Sequence, residues 1–326
     1  MEVPLLRLGL LGFDNHQAQR AAVRIASAVS NHARWEVVPF EDADMWLINS
    51  PSASTVEQRG LRISQAGDAA SALTIYPHQT SRPVAFTQPL PLAIDAVLSI
   101  DLEDMYQSVH DLNKFATALP GLCAHFALGE QVASRQSNLE ASTYHLSFEG
   151  RLIAVVDLAN WRISVQPKAK PIELSLASWR HRPNDNAQAP AGFEVLAMER
   201  LMWVFASRTH TPRLPEAYQT CIIYLRRLST LPQSWLHRDH MNLISYLNKQ
   251  AHTLASLQQV TQLSAERLLA CLSALYYSGT ITVHPAQVQR NDRHVAPSLP
   301  PAADDSKGFS ASSSIFDTYQ APLAAK

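Results

Sequence analysis

The stretch DADMWLINSPSAS, residues 42–54, is the most informative part of the sequence for the fold. Asp44–Asn49 within it is a short run of mostly apolar residues, and a Ser-Pro pair follows it directly. A run of this length that ends at a turn signal predicts a β-strand. The segments on either side indicate the kind of sheet to which this strand belongs.

Strand-like and helix-like segments alternate around this stretch. Leu5–Phe13 and Trp35–Phe40 are predicted strands, and Gln17–Asn31 between them has apolar residues at a helical period. The chain continues with predicted helices at Thr55–Gln65, Leu92–Ile100 and Met105–Leu119, and with predicted strands at Leu73–Tyr76 and Val84–Phe86. This alternation predicts an α/β domain over residues 1–120, with a parallel sheet and helices on both of its faces.

The order of these segments resembles the receiver domain of bacterial response regulators, a flavodoxin-like doubly wound fold. In that family the strand that corresponds to residues 44–49 ends in a phosphoacceptor Asp, soon followed by Pro. Here those positions are Asn49 and Pro51. The acidic pair of the family is reduced to Asp14, and its Lys-Pro pair corresponds to Gln88 and Pro89.

These departures bear directly on phosphorylation. Transfer to an aspartate needs a carboxylate nucleophile, an acidic site for Mg²⁺ and a Lys that holds the phosphoryl group. Asn49 supplies no carboxylate, Asp14 alone makes a weak Mg²⁺ site, and Gln88 has no positive charge. The resemblance therefore implies a pseudo-receiver that serves as a scaffold without a phosphorylation switch. The alternative interpretation is a generic α/β domain.

Residues 121–235 are predicted to form a mixed α+β central region. Tyr144–Phe148, Leu152–Asp157 and Trp161–Val165 are short strands that indicate an antiparallel meander. Phe193–Ala206 is a predicted helix, and Gln219–Leu225 is a predicted strand.

Residues 236–284 resemble a winged helix-turn-helix. Helices are predicted at Asp239–Lys249, Ser256–Thr261 and Ser264–Ser278, and Thr280–Val283 is a strand where a wing would begin. Ser264 is a plausible N-cap of the last helix, and Gly279 is well placed at its end. Residues 285–326, rich in Pro, Ala, Ser and Asp, predict a disordered tail.

The winged-helix-like segment has little charge for DNA binding. Its lysines and arginines exceed its acidic residues by only one, whereas DNA binding needs cations for the phosphates and polar donors for the bases. The helix at 264–278 is apolar on most faces, so we expect it to be buried or paired with a protein. DNA binding through Lys249 and Arg267 is the alternative. Four histidines would favour that alternative by adding charge at lower pH: His237, His240, His252 and His284.

Two further clusters were considered as ligand sites. Trp179, Arg180 and Arg182 combine an aromatic ring with guanidinium groups, a pattern that can bind a nucleotide. The simpler interpretation is that Trp179 packs on the meander and that the arginines are solvated. His237 and His240 have no recognisable further zinc ligands, so the sequence predicts no metal site.

Asn49 and Gln88 at the receiver positions and the mostly apolar helix at 264–278 lead us to expect a cytoplasmic, non-catalytic bacterial signalling adaptor that binds another signalling protein. The chain has no Gly-rich phosphate loop and no GxSxG motif, so neither an enzyme nor a cofactor is expected. No stretch reaches the ~18 apolar residues of a membrane span. Three widely spaced cysteines predict buried free thiols in a reducing compartment. The net charge of −1 gives no overall field that would attract nucleic acid.

Overall fold

The computed structural model of the chain describes residues 2–28, 32–56, 60–65, 68–80, 82–89, 98–182 and 188–288. The chain divides into two compact units. Unit 1 comprises Met1–Cys123 and Arg208–His210, and unit 2 comprises Ala124–Ser207 and Thr211–Lys326. From residue 289 onward, the predicted disordered tail lies outside the described residues. Within the described ranges, no helix has the length and apolar character needed to span a membrane.

Unit 1 is built on a parallel sheet. Its elements follow the chain as β1 (Leu5–Leu11), α1 (Asn15–Ser27), β2 (Arg34–Val38), β3 (Met45–Ile48), β4 (Ala53–Val56), β5 (Gly60–Gln65), β6 (Asp68–Ile75), β7 (Val84–Phe86), β8 (Leu98–Ser99) and α2 (Met105–Ala116). Five strands form the parallel sheet in the order β2-β1-β3-β7-β8, while β4, β5 and β6 form a separate antiparallel sheet. The prediction of an α/β domain with a parallel sheet is confirmed.

The two faces of the parallel sheet are covered differently. Helices α1 and α2 pack on one face through buried residues that include Ile25, Leu112 and Phe115. The other face packs against the antiparallel sheet, and its core consists of Leu11, Ile48, Leu61, Ile63, Ile75 and Phe86. Among the described residues, this second face is covered by strands and not by helices, which differs from the prediction of helices on both faces.

Strands β4 and β5 occupy the segment Thr55–Gln65 that was predicted as a helix. In β5, Leu61 and Ile63 are buried while Arg62 between them is exposed. This period of two belongs to a strand with one buried face, and it is too short to distinguish from a helical period in the sequence. The predicted helix Leu92–Ile100 lies outside the described residues as far as residue 97, and its end forms β8.

A segment from far along the chain completes unit 1. The backbone N–H of Leu5 donates to the carbonyl of Arg208 at 2.9 Å, and the Arg208 guanidinium forms an ion pair with Asp44. The Thr209 hydroxyl donates to the carboxylate of Glu2 at 2.8 Å. These contacts bind residues 208–210 to the start of the first strand.

The elements after α2 begin with α3 (Pro120–Arg135) and belong largely to unit 2. They are β9 (Thr143–Phe148), β10 (Arg151–Asp157), β11 (Arg162–Val165), α4 (Pro171–Ser175), β12 (Ser178–Arg182), β13 (Glu194–Ala197), α5 (Met198–Ala206), α6 (Ala217–Thr220), β14 (Tyr224–Leu225), α7 (Arg238–Lys249), α8 (Leu254–Thr261), α9 (Ala265–Tyr277) and β15 (Ile281–Thr282). An antiparallel sheet has the order β12-β9-β10-β11-β13, so the predicted meander is confirmed as its three central strands.

Two predictions in this part of the chain are incomplete, and one helix has no counterpart among the predictions. The segment Phe193–Ala206 is a helix only from Met198, because residues 194–197 pair with β11 as strand β13. The predicted strand Gln219–Leu225 is reduced to β14, since the turn of α6 occupies its start. Helix α3, with 16 residues, was not predicted.

The three C-terminal helices form close to the predicted positions. Gln262, between α8 and α9, is left-handed with a φ of 58°, and Ser264 caps α9 by accepting the backbone N–H of Arg267 at 3.2 Å. Strand β15 pairs with β14, which precedes α7 in the chain. In the described part of the chain, β15 has no following strand as a partner.

Helix α9 is buried over most of its length. Its buried residues are Leu268, Cys271, Leu272, Ser273, Ala274, Leu275, Tyr276 and Tyr277. The ring of Tyr277 lies 5.5 Å from that of Phe205 on α5, and the ring of Tyr276 lies 5.1 Å from that of Tyr218. Of the two environments expected for this helix, burial within the chain is the one observed.

A buried carboxylate on α5 holds the segment that follows β14. Glu199 is 2% exposed, and its carboxylate pairs with the guanidinium of Arg227 at 3.2 Å. It also accepts the hydroxyls of Ser229 at 2.8 Å and Thr230 at 2.6 Å, and the backbone N–H of Thr230 at 3.1 Å. All of these donors converge on one buried charge, so its removal leaves several hydrogen-bond donors without their acceptor.

We predict that Glu199→Gln lowers the free energy of unfolding by about 3 kcal/mol, because breaking a buried ion pair leaves an uncompensated charge. Urea unfolding of the full chain measures this loss. The matched control is Arg151→Ala, which removes a half-exposed partner of Glu173 and should cost less than about 1 kcal/mol. Equal losses in the two variants would contradict the role given to Glu199.

Candidate functional site

A cleft of about 790 Å³ lies at the carboxyl ends of the parallel strands in unit 1. Phe13, Asn49 and Thr87, which follow β1, β3 and β7, line its floor, and residues of α1 and α2 line its walls. The chain leaves β1 toward β2 on one side, whereas β3 lies on the other side. Open α/β sheets bind ligands at such a reversal of strand order, outside the carboxyl ends of the strands. The position and volume make this cleft the candidate functional site.

Asn49 is fixed at the floor of the cleft by hydrogen bonds. Its backbone N–H donates to the carbonyl of Leu11 at 2.9 Å, which continues the pairing of β3 with β1. Its side-chain Nδ2 donates to the carbonyl of Gly12 at 3.0 Å, to Gln17 Oε1 at 3.2 Å and to Ser52 Oγ at 3.3 Å. Two of these three groups are acceptors only. The surroundings therefore fit an amide N–H and oppose a carboxylate.

The carbonyl of Gly12 is directed at Asn49 by an unusual backbone conformation. Gly12 has a φ of 76°, a left-handed value that favours glycine. A Cβ at this position would lie 2.8 Å from the Cβ of Ser52. The Ser52 hydroxyl instead donates to the Gly12 carbonyl at 2.7 Å, so the two loops are joined at the floor of the cleft.

Gln88 is held through its backbone. Its N–H donates to Ser50 Oγ at 2.8 Å, and the Ser50 hydroxyl lies 2.7 Å from the Gln88 carbonyl. The backbone N–H of Ser50 donates to Thr87 Oγ1 at 3.0 Å. The exposed side chain of Gln88 lines the cleft and brings no charge to it.

Asp14 has a structural role at the start of α1. Its Oδ1 accepts the backbone N–H of Gln17 at 2.6 Å, and the Gln17 side chain accepts the N–H of Asp14 at 3.2 Å. This reciprocal pair is a capping box, so the carboxylate is committed to the helix end. Of the three positions that correspond to the phosphorylation site of the receiver family, Asn49 and Gln88 line the cleft, whereas Asp14 is not one of its lining residues.

Charged residues on the cleft walls were not predicted from the sequence. Arg20 and Arg24 come from α1, and Asp111 and Lys114 come from α2. The polar lining residues of α1 include positions 17, 20 and 24, and those of α2 are 107, 111 and 114. Such spacing places residues on one side of a helix. The helical spacing of these residues is visible in the sequence, but it does not show that this side of each helix borders a cleft.

The contacts of these wall residues differ. The guanidinium of Arg24 donates to the carbonyl of Leu102 and lies 3.1 Å from the carboxylate of Glu103. Arg20 lies 3.6 Å from the same carboxylate. Asp111 is 7% exposed and accepts a hydrogen bond from Gln107 Nε2 at 2.8 Å. The cleft therefore combines two guanidinium groups, of which that of Arg24 is held by two partners, with one buried carboxylate.

The predicted contacts Trp179, Arg180 and Arg182 do not form one surface. They lie on strand β12, where successive side chains point to opposite faces. Trp179 therefore faces away from both arginines. The centroid of its ring lies 5.2 Å from Cζ of Arg135 and 6.0 Å from the ring centroid of Tyr144. This packing agrees with the simpler interpretation of Trp179.

Lys249 and Arg267 are also apart. Arg267 forms an ion pair of 2.8 Å with Asp239 in the first turn of α7, whereas Lys249 is the last residue of that helix. At 1.5 Å per residue, the two ends are separated by roughly 15 Å. Lys249 Nζ lies 5.9 Å from the ring centroid of Tyr246.

The histidines and cysteines form no metal-binding group in the part of the chain that is described. No group of three or more His, Cys, Asp and Glu side chains there is arranged to hold a metal ion. Burial raises the pKa of the Cys123 thiol to about 11, so it stays protonated at neutral pH. All three cysteines are free. Cys221 is exposed, so the prediction of buried thiols is wrong at this position.

Comparison with known proteins gave no match to the model of a protein family, to a curated protein or to a solved structure. The function is therefore argued from the cleft and from the two units themselves.

We predict that the stability of the chain decreases below about pH 6.5, in part because of His252. This residue is 5% exposed, and its Nδ1 lies 2.9 Å from Ser256 Oγ. Burial lowers its pKa from the ordinary value of 6.5. The folded state then binds fewer protons than the unfolded state, so the stabilisation is complete above pH 6.5 and is lost as the pH falls through the folded-state pKa. Burial likewise lowers the pKa of His125 and His210.

Unfolding curves between pH 7.5 and 5 measure this effect. We expect His252→Asn to reduce the pH dependence, because asparagine does not titrate, and to leave a residual dependence from the other two histidines. An identical slope in the original chain and the variant would show that His252 does not contribute.

Proposed function

We propose that the chain is a non-catalytic signalling adaptor whose unit 1 is a phosphorylation-incompetent, receiver-like domain. The order of the five parallel strands supports the resemblance, because numbering them along the chain gives 2-1-3-4-5, the order of flavodoxin-like folds. Unit 1 departs from that fold where β4, β5 and β6 cover the second face. The proposal therefore concerns the parallel sheet, α1, α2 and the cleft.

The observation that carries the proposal is the environment of Asn49. The place of the nucleophile is taken by an amide that donates to the Gly12 carbonyl and to Gln17 Oε1. Asp14 caps α1, and Gln88 provides no cation for a phosphoryl group. All three requirements of aspartyl phosphorylation are therefore unmet at these positions. A domain of this kind acts by binding.

The C-terminal helices support an adaptor role more than a DNA-binding role. We interpret α7, α8, α9 and β15 as a winged-helix-like arrangement. A groove-reading helix displays polar side chains to the bases, whereas α9 is mostly buried. Its Arg267 is paired with Asp239. His240 and His252 are buried, so they add little to a cationic surface. These observations weigh against DNA binding, which is the alternative, and the role that we propose is the binding of another signalling protein.

Treatment with acetyl phosphate and Mg²⁺ tests the pseudo-receiver proposal. We expect no stable incorporation, by intact mass, into the original chain or into Asn49→Asp. The substitution restores a carboxylate but supplies neither the Mg²⁺ site nor the lysine. It also opposes a carboxylate oxygen to the Gly12 carbonyl and should cost about 1–3 kcal/mol of stability. Incorporation on a carboxylate of unit 1 in the original chain would overturn the proposal.

A DNA-binding assay tests the alternative. We expect the chain to retain no more duplex DNA at 50 mM salt, a low ionic strength, than a protein without DNA affinity retains. The reason is that the candidate cations are few and lie far apart. Binding that falls steeply with salt and weakens in Lys249→Ala and Arg267→Ala would instead support the regulator. The matched control is Lys168→Ala, which replaces an exposed lysine outside the C-terminal helices.

A further inference from the structure

The charges in the unit 1 cleft are arranged in a way that indicates a ligand. The lining contains three cations, Arg20, Arg24 and Lys114, and three acids, Asp101, Glu103 and Asp111. The net charge of these groups is zero, so a bare anion gains little from the cleft as a whole. Their distribution decides what binds.

The α1 wall keeps an excess of positive charge. Arg20 and Arg24 share a single carboxylate, that of Glu103, at 3.6 and 3.1 Å. The guanidinium of Arg24 is further fixed by the carbonyl of Leu102. A guanidinium that is already positioned loses less freedom when a ligand binds. Asp101 uses one oxygen to accept the backbone N–H of Glu103 at 2.8 Å.

Helix α2 supplies a cation and an acceptor one turn apart. Lys114 is exposed, and its ammonium forms no ion pair within the described residues. Asp111 is 7% exposed, and among the described residues its carboxylate accepts one hydrogen bond, from Gln107. An ionised carboxylate has about four acceptor positions, so it has capacity for a ligand hydroxyl or amino group.

The cleft also has an apolar part. Phe13, Leu98 and Leu102 line it, together with the proline rings of Pro51 and Pro89. Phe13 packs against the core and is partly buried, and an aromatic ring that lines a cleft can stack with a base. The volume of about 790 Å³ lies within the range of about 300–1,000 Å³ for small-molecule sites, and it far exceeds what an inorganic anion requires.

We propose that this cleft binds a nucleoside phosphate. The phosphate is held by Arg20, Arg24 and Lys114, which suit it as charged donors. Asp111 accepts a hydrogen bond from the ribose or the base, and the apolar part with Phe13 contacts the base. This inference goes beyond the proposed function and does not depend on it, because it uses wall residues and not the phosphoacceptor position.

Isothermal titration of the full chain tests the proposal. The probes are the four nucleoside 5′-monophosphates, their nucleosides and inorganic phosphate. We expect at least one nucleotide to bind at least tenfold more tightly than its nucleoside and than phosphate. The proposal would be overturned if inorganic phosphate bound as tightly as the nucleotides, or if none of the nucleotides bound. Either failure would leave the acetyl phosphate result on the pseudo-receiver unaffected.

Two variants identify the site. Lys114→Gln should lower the affinity for the nucleotide about tenfold and leave the affinity for the nucleoside unchanged, because it removes only a contact with the phosphate. Asp111→Asn should weaken nucleotide and nucleoside alike. Lys168→Gln, at an exposed lysine of unit 2, is the matched control. Unfolding midpoints establish that each variant is folded. Nucleotide binding that is the same in Lys114→Gln and Lys168→Gln would place the ligand elsewhere and refute this site.

Discussion

The parallel direction of the five strands in unit 1 determines where its polar groups meet. Strands that run the same way end at the same edge of a sheet, so the loops after β1, β3 and β7 are neighbours there. Gly12, Asn49 and Thr87 come from these three loops. Beyond the end of the sheet, hydrogen bonds from the side chains of these loops take the place of strand pairing. They satisfy backbone groups that are partly buried, such as the carbonyl of Gly12 and the N–H of Ser50. The floor of the cleft follows from this arrangement.

Much of the parallel sheet could be predicted because its elements are long or uniformly apolar. Helix α1 repeats its apolar residues over thirteen positions, and β3 is an apolar run with a clear end. The antiparallel sheet on the second face could not be predicted in the same way. Strands β4 and β5 together contain ten residues with mixed exposure, and periods of 2 and 3.6 cannot be separated over so few positions.

Only those residues of the candidate site that lie near the ends of strands were predicted from the sequence. Asn49 and Gln88 were named because they fall at the phosphoacceptor and lysine positions of the receiver family, which lie near strand ends, and both line the cleft. Arg20 and Lys114 were not found, because a polar residue at helical spacing ordinarily indicates a solvent-facing surface. That this surface borders a cleft depends on how α1 and α2 pack on the sheet. This packing is tertiary information that local periodicity does not contain.

The floor and the walls of the cleft therefore serve different purposes. The amide of Asn49 is part of the hydrogen bonding that joins the loops, and a change there affects the fold as well as the chemistry. The wall helices are attached to the sheet through buried residues such as Ile25 and Phe115. Because Arg20 and Lys114 are exposed and take no part in that core, their charges can vary without loss of the fold. Selection for a ligand can act on the walls while the floor stays constant.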